Sequence, residues 1–531
     1  MHTNMNLKTT VLAWALPLLG LVMSPGISVM DAAADQRPIP AAYGPNIHPS
    51  PDAFTGATSY TSRDRIVATY YFYWYCVNTR EHIVNGDGTD ALTDHPPTLD
   101  GFSYNSVKWH KQQLLDMMAA GIDVALPVFW GAPPEQAAKA TFHWSYVGLE
   151  RLVQARQELL DEGRKPPRIG MFYDTSTLQH NGWGAHIDLR TDYGREWFYA
   201  TIRDFFSLVP PRHWAMIDSK PVVLLYAADF AKSHDQSFID HTRKQFAADF
   251  GGRVPWIAAE VSWKVEADSK VVWGGALGTK NAGVASVGPG YDHSAVPGRT
   301  PLICKRDGGR FYEENWTRFL RQPSNLVVVE TWNEFHEGTD VADSREYGRQ
   351  YIKLTRKYAD LFKKGWKPGW PKGAFSKARS LGFSAGAVTK DQGLRLVNNE
   401  DGRTAPGEFA GSSCLSVVTT PNLGHYLYFA ADNSFKEKDP VDLTAEIEYC
   451  DGGAGILSLE YCGSDVTQAF HGAYTPAPEI VRLEGAKIWK TARFTLKASM
   501  LINSQNGGAD FRFATTATDL KVRKVTLLKA K

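Results

Sequence analysis

The sequence predicts an α/β protein, a (β/α)8 (TIM) barrel followed by a C-terminal all-β sandwich that is jelly-roll-like. Three observations predict it. About eight β-type runs, beginning near residues 66, 122, 168, 221, 256, 271, 284 and 326, alternate with helical patterns over the first two thirds of the chain. Several of those runs end in polar and aromatic groups together: Tyr73, Trp74 and Tyr75; Phe129 and Trp130; Tyr173 and Asp174; Tyr226; Glu260 and Trp263; Tyr291 and Asp292; Glu334 and Glu337. A doubly wound open sheet is the alternative; the barrel is favoured because its strand C-termini converge on one mouth. Beyond Arg379 no helical period remains, and short runs are separated by turns such as DGGA and NGG, which argues for antiparallel strands.

In chain order, residues 1–34 carry one lysine, an apolar run from Val11 to Met23 and then alanines, the pattern of a secretory signal cut near Ala34. Secretion, periplasmic or extracellular, is therefore expected. Residues 35–63 are an irregular lead-in, and Ile66 to Tyr75 is a strong β run. A helix over Ser106 to Ala120 stops at Gly121, and Ile122 to Trp130 resumes as strand. The alternation repeats: helix Trp144–Glu162, strand Arg168–Tyr173, helix Gly194–Leu208, strand Pro221–Tyr226, helix Gln236–Phe250, strand Trp256–Val261. Short strands near Val271–Trp273 and Val284–Val287, a helix near Tyr312–Arg321, the strand Leu326–Trp332 and a helix Ser344–Lys364 complete a barrel over 64–365. Lysine, proline and glycine crowd the boundary, giving a linker over 366–389 and a sandwich over 390–531 with strands near 425–429, 441–449, 456–461, 492–496, 510–513 and 520–528. That sandwich either binds carbohydrate or braces the barrel, and Tyr428 and Trp489 are its candidate exposed aromatics, although both residue types are more often core.

Composition narrows the function. The net charge is +1, from 58 basic and 57 acidic residues, so no field gathers nucleic acid or anionic membrane, and no stretch outside the leader is long and apolar enough to span one. No obligate protein partner is inferred. Aromatic residues make up 12%, including 16 Trp and 22 Tyr, a supply that suits stacking on sugars as well as core packing. Neither GxGxxG nor GxxxxGK[ST] follows a strand, and the five cysteines have no zinc spacing, so neither metal nor cofactor is expected. A Cys450–Cys462 bridge is not expected either. If their strands meet at the turn 451–454, Cys450 lies opposite position 455, about 20 Å from Cys462.

The chemistry concentrates at LVVVETWNEFHEGT, Leu326 to Thr339. Four unalternating apolar residues suit a strand buried on both faces, after which Glu330, Trp332 and Glu334 share one face by the two-residue period. Glu334 and Glu337 are three residues apart, at most about 10 Å when extended, near the separation of glycosidase carboxylate pairs. Spacing alone equally fits a salt bridge or a helix cap.

NEFHEGT at 333–339 resembles the NEWHEGT signature of the endo-α-mannosidase family, glycoside hydrolase family 99, and its WbsX-like relatives. SVGPGYD at 286–292, RFYEENW at 310–316 and the opening YYFYWY resemble further motifs of that family. The likeness is greatest to a bacterial group known only as domain of unknown function 5010, with its own C-terminal domain. The resemblance implies a secreted hydrolase of an oligo- or polysaccharide, an α-mannoside by likeness, that retains anomeric configuration. Glu337 would be the general acid/base, and Glu334 would draw on the sugar's own 2-hydroxyl to give a 1,2-anhydro sugar. Tyr291 would stand beside the reacting centre, with Asn333 and His336 binding hydroxyls or supporting the carboxylates. Tyr73, Trp74, Glu81 and His82 at the first strand, with Trp130 and Asp174, are the remaining candidates for substrate binding. Phe335, Asp340 and Tyr173-Asp174 depart from the family pattern, which bears on sugar identity more than on the catalytic pair. The competing class is a non-catalytic polysaccharide-binding protein.

Overall fold

The computed structural model describes residues 38–530 apart from 134–142, 183, 300–301, 370–371, 387–389, 399–400, 419–424, 438, 466–467 and 469–471. The leader assigned to residues 1–34 lies outside the described residues.

Eight parallel strands form a nearly closed, barrel-like sheet. They are β1 (Ile66–Tyr71), β2 (Val124–Phe129), β3 (Met171–Tyr173, preceded by Arg168–Ile169), β4 (Lys220–Leu225), β5 (Trp256–Glu260), β6 (Ser269–Val271), β7 (Val284–Val287) and β8 (Leu326–Val329). Each neighbours the next in the chain, and β8 returns to β1 with Ile66 opposite Leu326. Among the described residues, β6 and β7 are linked by an isolated bridge from Lys270 to Gly283. The apolar runs explain the burial: Val327, Val328 and Val329 have no exposed surface, and each such side chain contributes about 1.5–3 kcal/mol by leaving water.

Helices follow strands unevenly. After β1 to β4 come α1 (Val107–Ala120), α2 (His143–Asp161), α3 (Asp192–Leu208) and α4 (Ser237–Asp249). The boundaries follow capping chemistry. The Ser106 side chain accepts from the Trp109 amide, and Gly121 closes α1 in the left-handed region with φ of 79°. No helix separates β5 from β6, and only a short turn of 3-10 helix lies between β6 and β7. Then α5 (Arg310–Phe319) follows β7, and α6 (Gln350–Lys363) follows β8. The expected early start of α6 at Ser344 fails because the chain turns at Gly348, whose φ is 52°.

The C-terminal β domain has two antiparallel sheets facing each other across one core. In the first, Leu520–Lys529 is central and pairs with Val441–Asp451, Ser412–Val417 and Ser380–Ser384. In the second, Phe511–Thr515 lies between His425–Ala431 and Ala454–Tyr461. Since Ser380–Ser384 is a sheet member, the domain begins inside the stretch expected to be linker. The turn after Asp451 passes from one sheet to the other, so the assumed hairpin register does not apply. Cys450 and Cys462 are nonetheless unbridged, and all five cysteines are buried free thiols. Tyr428 is fully buried and Trp489 is half-buried beneath Arg523, so neither is the exposed aromatic the sequence offered.

The β domain is docked on the barrel. Lys280 Nζ donates to the Ser504 carbonyl, and a side chain at Gly278 would meet the Asn503 and Gln505 carbonyls at 3.3 Å. Among the described residues no helix is long and apolar enough to cross a membrane.

Candidate active site

β8 delivers the acidic stretch to the mouth, but extended backbone stops at Val329 and the expected alternation stops with it. Glu330 turns into the barrel, where the Ser286 hydroxyl donates to Oε1 at 2.5 Å and the Gly274 amide to Oε2 at 2.9 Å. Burial pushes its carboxyl up to about 7 against the pull of those donors. Trp332 turns toward α1 and donates to Gln113 at 2.8 Å. Thus Glu330, Trp332 and Glu334 do not share a face.

Residues 331–339 fold back on themselves. The Thr331 amide donates to the Thr339 carbonyl at 2.9 Å, and the Glu334 amide to Thr331 Oγ1 at 2.9 Å. Asn333 ties this loop to the end of β1: its Oδ1 accepts from the Phe72 amide at 2.8 Å and its Nδ2 donates to the Phe72 carbonyl at 2.6 Å. The amides of Thr93 and Asp94 both donate to the Phe335 carbonyl. Arg306 holds the other end through the Gly338 carbonyl, Asp94 and Asp340, at 2.8–2.9 Å. Such a loop has little freedom to reposition its carboxylates.

Glu334 and Glu337 line one cup with Phe72, Phe172, Asp174, Tyr226 and Trp273. The aromatic floor is well packed. Phe172 and Trp273 stack at 5.6 Å and 5°, with Tyr70 at 5.0 Å and Tyr226 edge-on at 5.1 Å from the indole. A second cleft, of about 350 Å³, lies at the opposite end of the barrel against Arg65, Phe362 and Trp366 and carries no carboxylate.

The two acids have different partners. His336 Nδ1 lies 2.7 Å from Glu334 Oε1, and His336 Nε2 lies 2.9 Å from the His82 carbonyl. A carbonyl only accepts, so Nε2 carries a hydrogen and the Nδ1–Oε1 contact shares one further proton. Both members are pushed upward: burial raises Glu334, and the Glu334 charge raises His336 despite burial, which acts the other way. Glu337 instead accepts from Arg299 Nη1 at 2.9 Å, and burial, then the Glu337 charge, raises the Tyr291 phenol.

The other expected residues divide. Trp74 stacks on His82 at 4.7 Å and 2°, Trp130 stands edge-on to both, and His336 lies 5.5 Å from Trp74. Trp130 Nε1 donates to Asp174 Oδ2 at 2.5 Å, so an aromatic wall runs from His336 to the cup-lining Asp174. Burial, then the neighbouring His336, lowers His82 to about 3 and keeps it neutral. Tyr73, Asn333 and Glu81 are not brought into the cup. The Tyr73 hydroxyl is spent on the Ser145 carbonyl, the Asn333 amide on Phe72, and Glu81 is exposed with Thr79 and Tyr104 as partners.

Sequence reasoning missed Phe72, Phe172 and Trp273 as lining, Arg299 as the partner of Glu337, and Glu330 as an acid beneath the floor. A tryptophan two residues past a short strand was the one available signal, at Trp273. Among the described residues no group of three or more His, Cys, Asp or Glu is placed to hold a metal ion.

The family model described as "Domain of unknown function (DUF5010)" matches residues 54–367. The glycoprotein endo-alpha-1,2-mannosidases of Mus musculus and Rattus norvegicus are 32% and 30% identical over 96 residues, which is 15% of this chain and 21% of each relative. The match therefore spans about a fifth of those relatives' length. Among solved structures, the GH99 endo-alpha-mannosidase from Bacteroides thetaiotaomicron is similar over 58% of this chain and all of its own, at 14% identity and a TM-score of 0.39.

Proposed function

This chain belongs to the DUF5010 family, and we propose that it is a glycoside hydrolase, secreted, that cleaves an α-mannoside-like oligo- or polysaccharide with retention. The barrel-like sheet is read as a (β/α)8 catalytic barrel and the β domain as a jelly-roll-like sandwich. The observation that carries the proposal is the pair of carboxylates, Glu334 and Glu337, lining one aromatic-floored cup at the strand C-termini. The 96-residue likeness to endo-alpha-1,2-mannosidases supports the substrate class.

In this reading a sugar ring packs an apolar face on Trp273 and Phe172 while Asp174 and Tyr226 meet its hydroxyls. Glu337 gives its proton to the leaving oxygen as the glycosidic bond breaks. Glu334 takes the proton of the 2-hydroxyl, whose oxygen closes on the anomeric carbon, and His336 supports the carboxylate that does so. Water then attacks the anomeric carbon as its bond to the 2-oxygen breaks, Glu337 taking the water proton and Glu334 returning its proton to the 2-oxygen. Arg299 supplies the counter-charge to Glu337 while the anhydro intermediate stands.

The test is digestion of a library of mannose-containing glycans, with proton NMR of the first product formed. New reducing ends of retained configuration are expected, and Glu337→Gln lowers their rate by about 10²–10⁴-fold while leaving binding and folding intact. A protein that binds these glycans but releases no reducing ends at any concentration is a binder, and the proposal is then wrong.

A further inference from the structure

We propose that Glu330 is a positioning residue that sets the sugar-binding face of Trp273 in the cup, an inference that rests on the hydrolase reading and deepens its account of substrate binding. Trp273 is half-buried and lines the cup. Among the described residues neither its indole nor its backbone makes a hydrogen bond, so its place is set by the rings around it and by the turn that follows.

That turn begins at Gly274, whose φ of 107° is one that a side chain would strain, and continues as 3-10 helix over Gly275–Leu277. The Gly274 amide donates to Glu330 Oε2 at 2.9 Å. The other oxygen, Oε1, accepts from the Ser286 hydroxyl of β7 at 2.5 Å, and the Glu330 amide donates to the Val287 carbonyl at 2.8 Å. The turn fits closely around this acid. A side chain at Gly275 would run into the same Ser286 hydroxyl, and one at Gly288 into the Glu330 carbonyl and Ala276 Cα. Glu330 is 1% exposed and Ser286 has no exposed surface, so bulk water does not stand in for either.

Glu330 thus reaches from the end of β8 across β7 to the turn behind the aromatic floor. Without that carboxyl the Gly274 amide loses its acceptor, and the turn moves to find another, carrying Trp273 off its packing against Phe172. A platform already in place costs no ordering when a sugar ring lands on it. The loop that bears Glu334 and Glu337 is tied separately, by Asn333 to Phe72 and by Arg306 to the Gly338 carbonyl, so the loss falls on binding and not on bond breaking.

Two substitutions separate this role from simple support of the fold. A carboxamide accepts from Gly274 through its oxygen and donates to the Ser286 hydroxyl through its nitrogen, whereas a thioether of similar length does neither. Glu330→Gln should keep KM near wild type. Glu330→Met should raise KM about tenfold at nearly unchanged kcat, and adding Trp273→Ala to it should raise KM no further than Trp273→Ala does alone. A fall in kcat at unchanged KM, equal losses in Glu330→Gln and Glu330→Met, or losses that multiply would overturn the assignment. Fluorine NMR of 5-fluorotryptophan-labelled protein without substrate reads the platform independently of turnover. The Trp273 resonance, assigned by its disappearance in Trp273→Phe, should shift or broaden in Glu330→Met and stay in place in Glu330→Gln; an unmoved resonance in Glu330→Met overturns the proposal even if no glycan is ever cleaved. If Glu330→Met does not fold, Ser286→Ala, which removes the donor that orients the carboxyl, should move the same resonance, and its staying in place overturns the proposal equally.

Discussion

The two flanks of the barrel are covered differently. Along β1 to β4, each strand is followed by a helix whose apolar stripe closes over the sheet and whose charges face water. Between β5 and β7 no α-helix intervenes among the described residues, and residues 503–508 of the β domain pack against Gly278, Lys280, Cys304 and Arg318. The first flank needs only amphipathic helices. The second buries charge: Lys280, Lys436 and Arg318 are 6–9% exposed, and Lys436 pairs with Asp510, which has no exposed surface, at 2.9 Å. Trp273 and the Gly274 amide that holds Glu330 belong to this flank, so one wall of the cup depends on the β domain and the other does not.

The severest way to break that comparison is to delete residues 372–531. Stripped of cover, the second flank exposes its apolar surface and loses the bond from Lys280 to the Ser504 carbonyl, and the barrel should lose on the order of 5 kcal/mol, read as a large fall in melting temperature or loss of soluble protein. A truncated barrel that melts with the full chain would show that the β domain is merely tethered.

A pH series sharpens the comparison next. Burial lowers Lys280 from its ordinary 10.5 to about 8. Between those values the unfolded chain holds the extra proton, so stability should rise as pH climbs from about 8 to 10.5, by up to ~3 kcal/mol. Urea unfolding across that range should show the rise in wild type and a flatter line in Lys280→Met; identical slopes would place the titration elsewhere. Trp273→Ala should then raise KM roughly tenfold through lost stacking, about 1.4 kcal/mol. The smallest effect belongs to the helical flank. Arg356→Ala removes an exposed 2.9 Å pair with Asp360 along α6 and should cost no more than about 0.5 kcal/mol.

The sequence was a good guide where periodicity and local punctuation decide structure. Seven of the eight strand positions were legible because parallel strands covered on both faces read as apolar runs, and α1 because Ser106 and Gly121 bracket it; the sixth strand, expected near Val271–Trp273, lies at Ser269–Val271. It was a poorer guide where a distant neighbour decides. The face assigned to Glu330 and Trp332 assumed that extended backbone runs through Glu334, whereas the tie between Asn333 and Phe72, 261 residues apart, is part of a folded loop. Trp273 becomes a floor only because Phe172, on another strand, lies parallel to it. Arg299 lies in a stretch with no period at all, and nothing local marks it as the partner of Glu337.

The five unpaired thiols have a practical consequence. Cys76 and Cys304 report on the barrel, and Cys414, Cys450 and Cys462 on the β domain, yet none is open to reagent while the chain is folded. Alkylation followed by peptide mass spectrometry at rising temperature would therefore record, thiol by thiol, which half of the molecule opens first, with Cys304 and Cys462 timing the separation of the two.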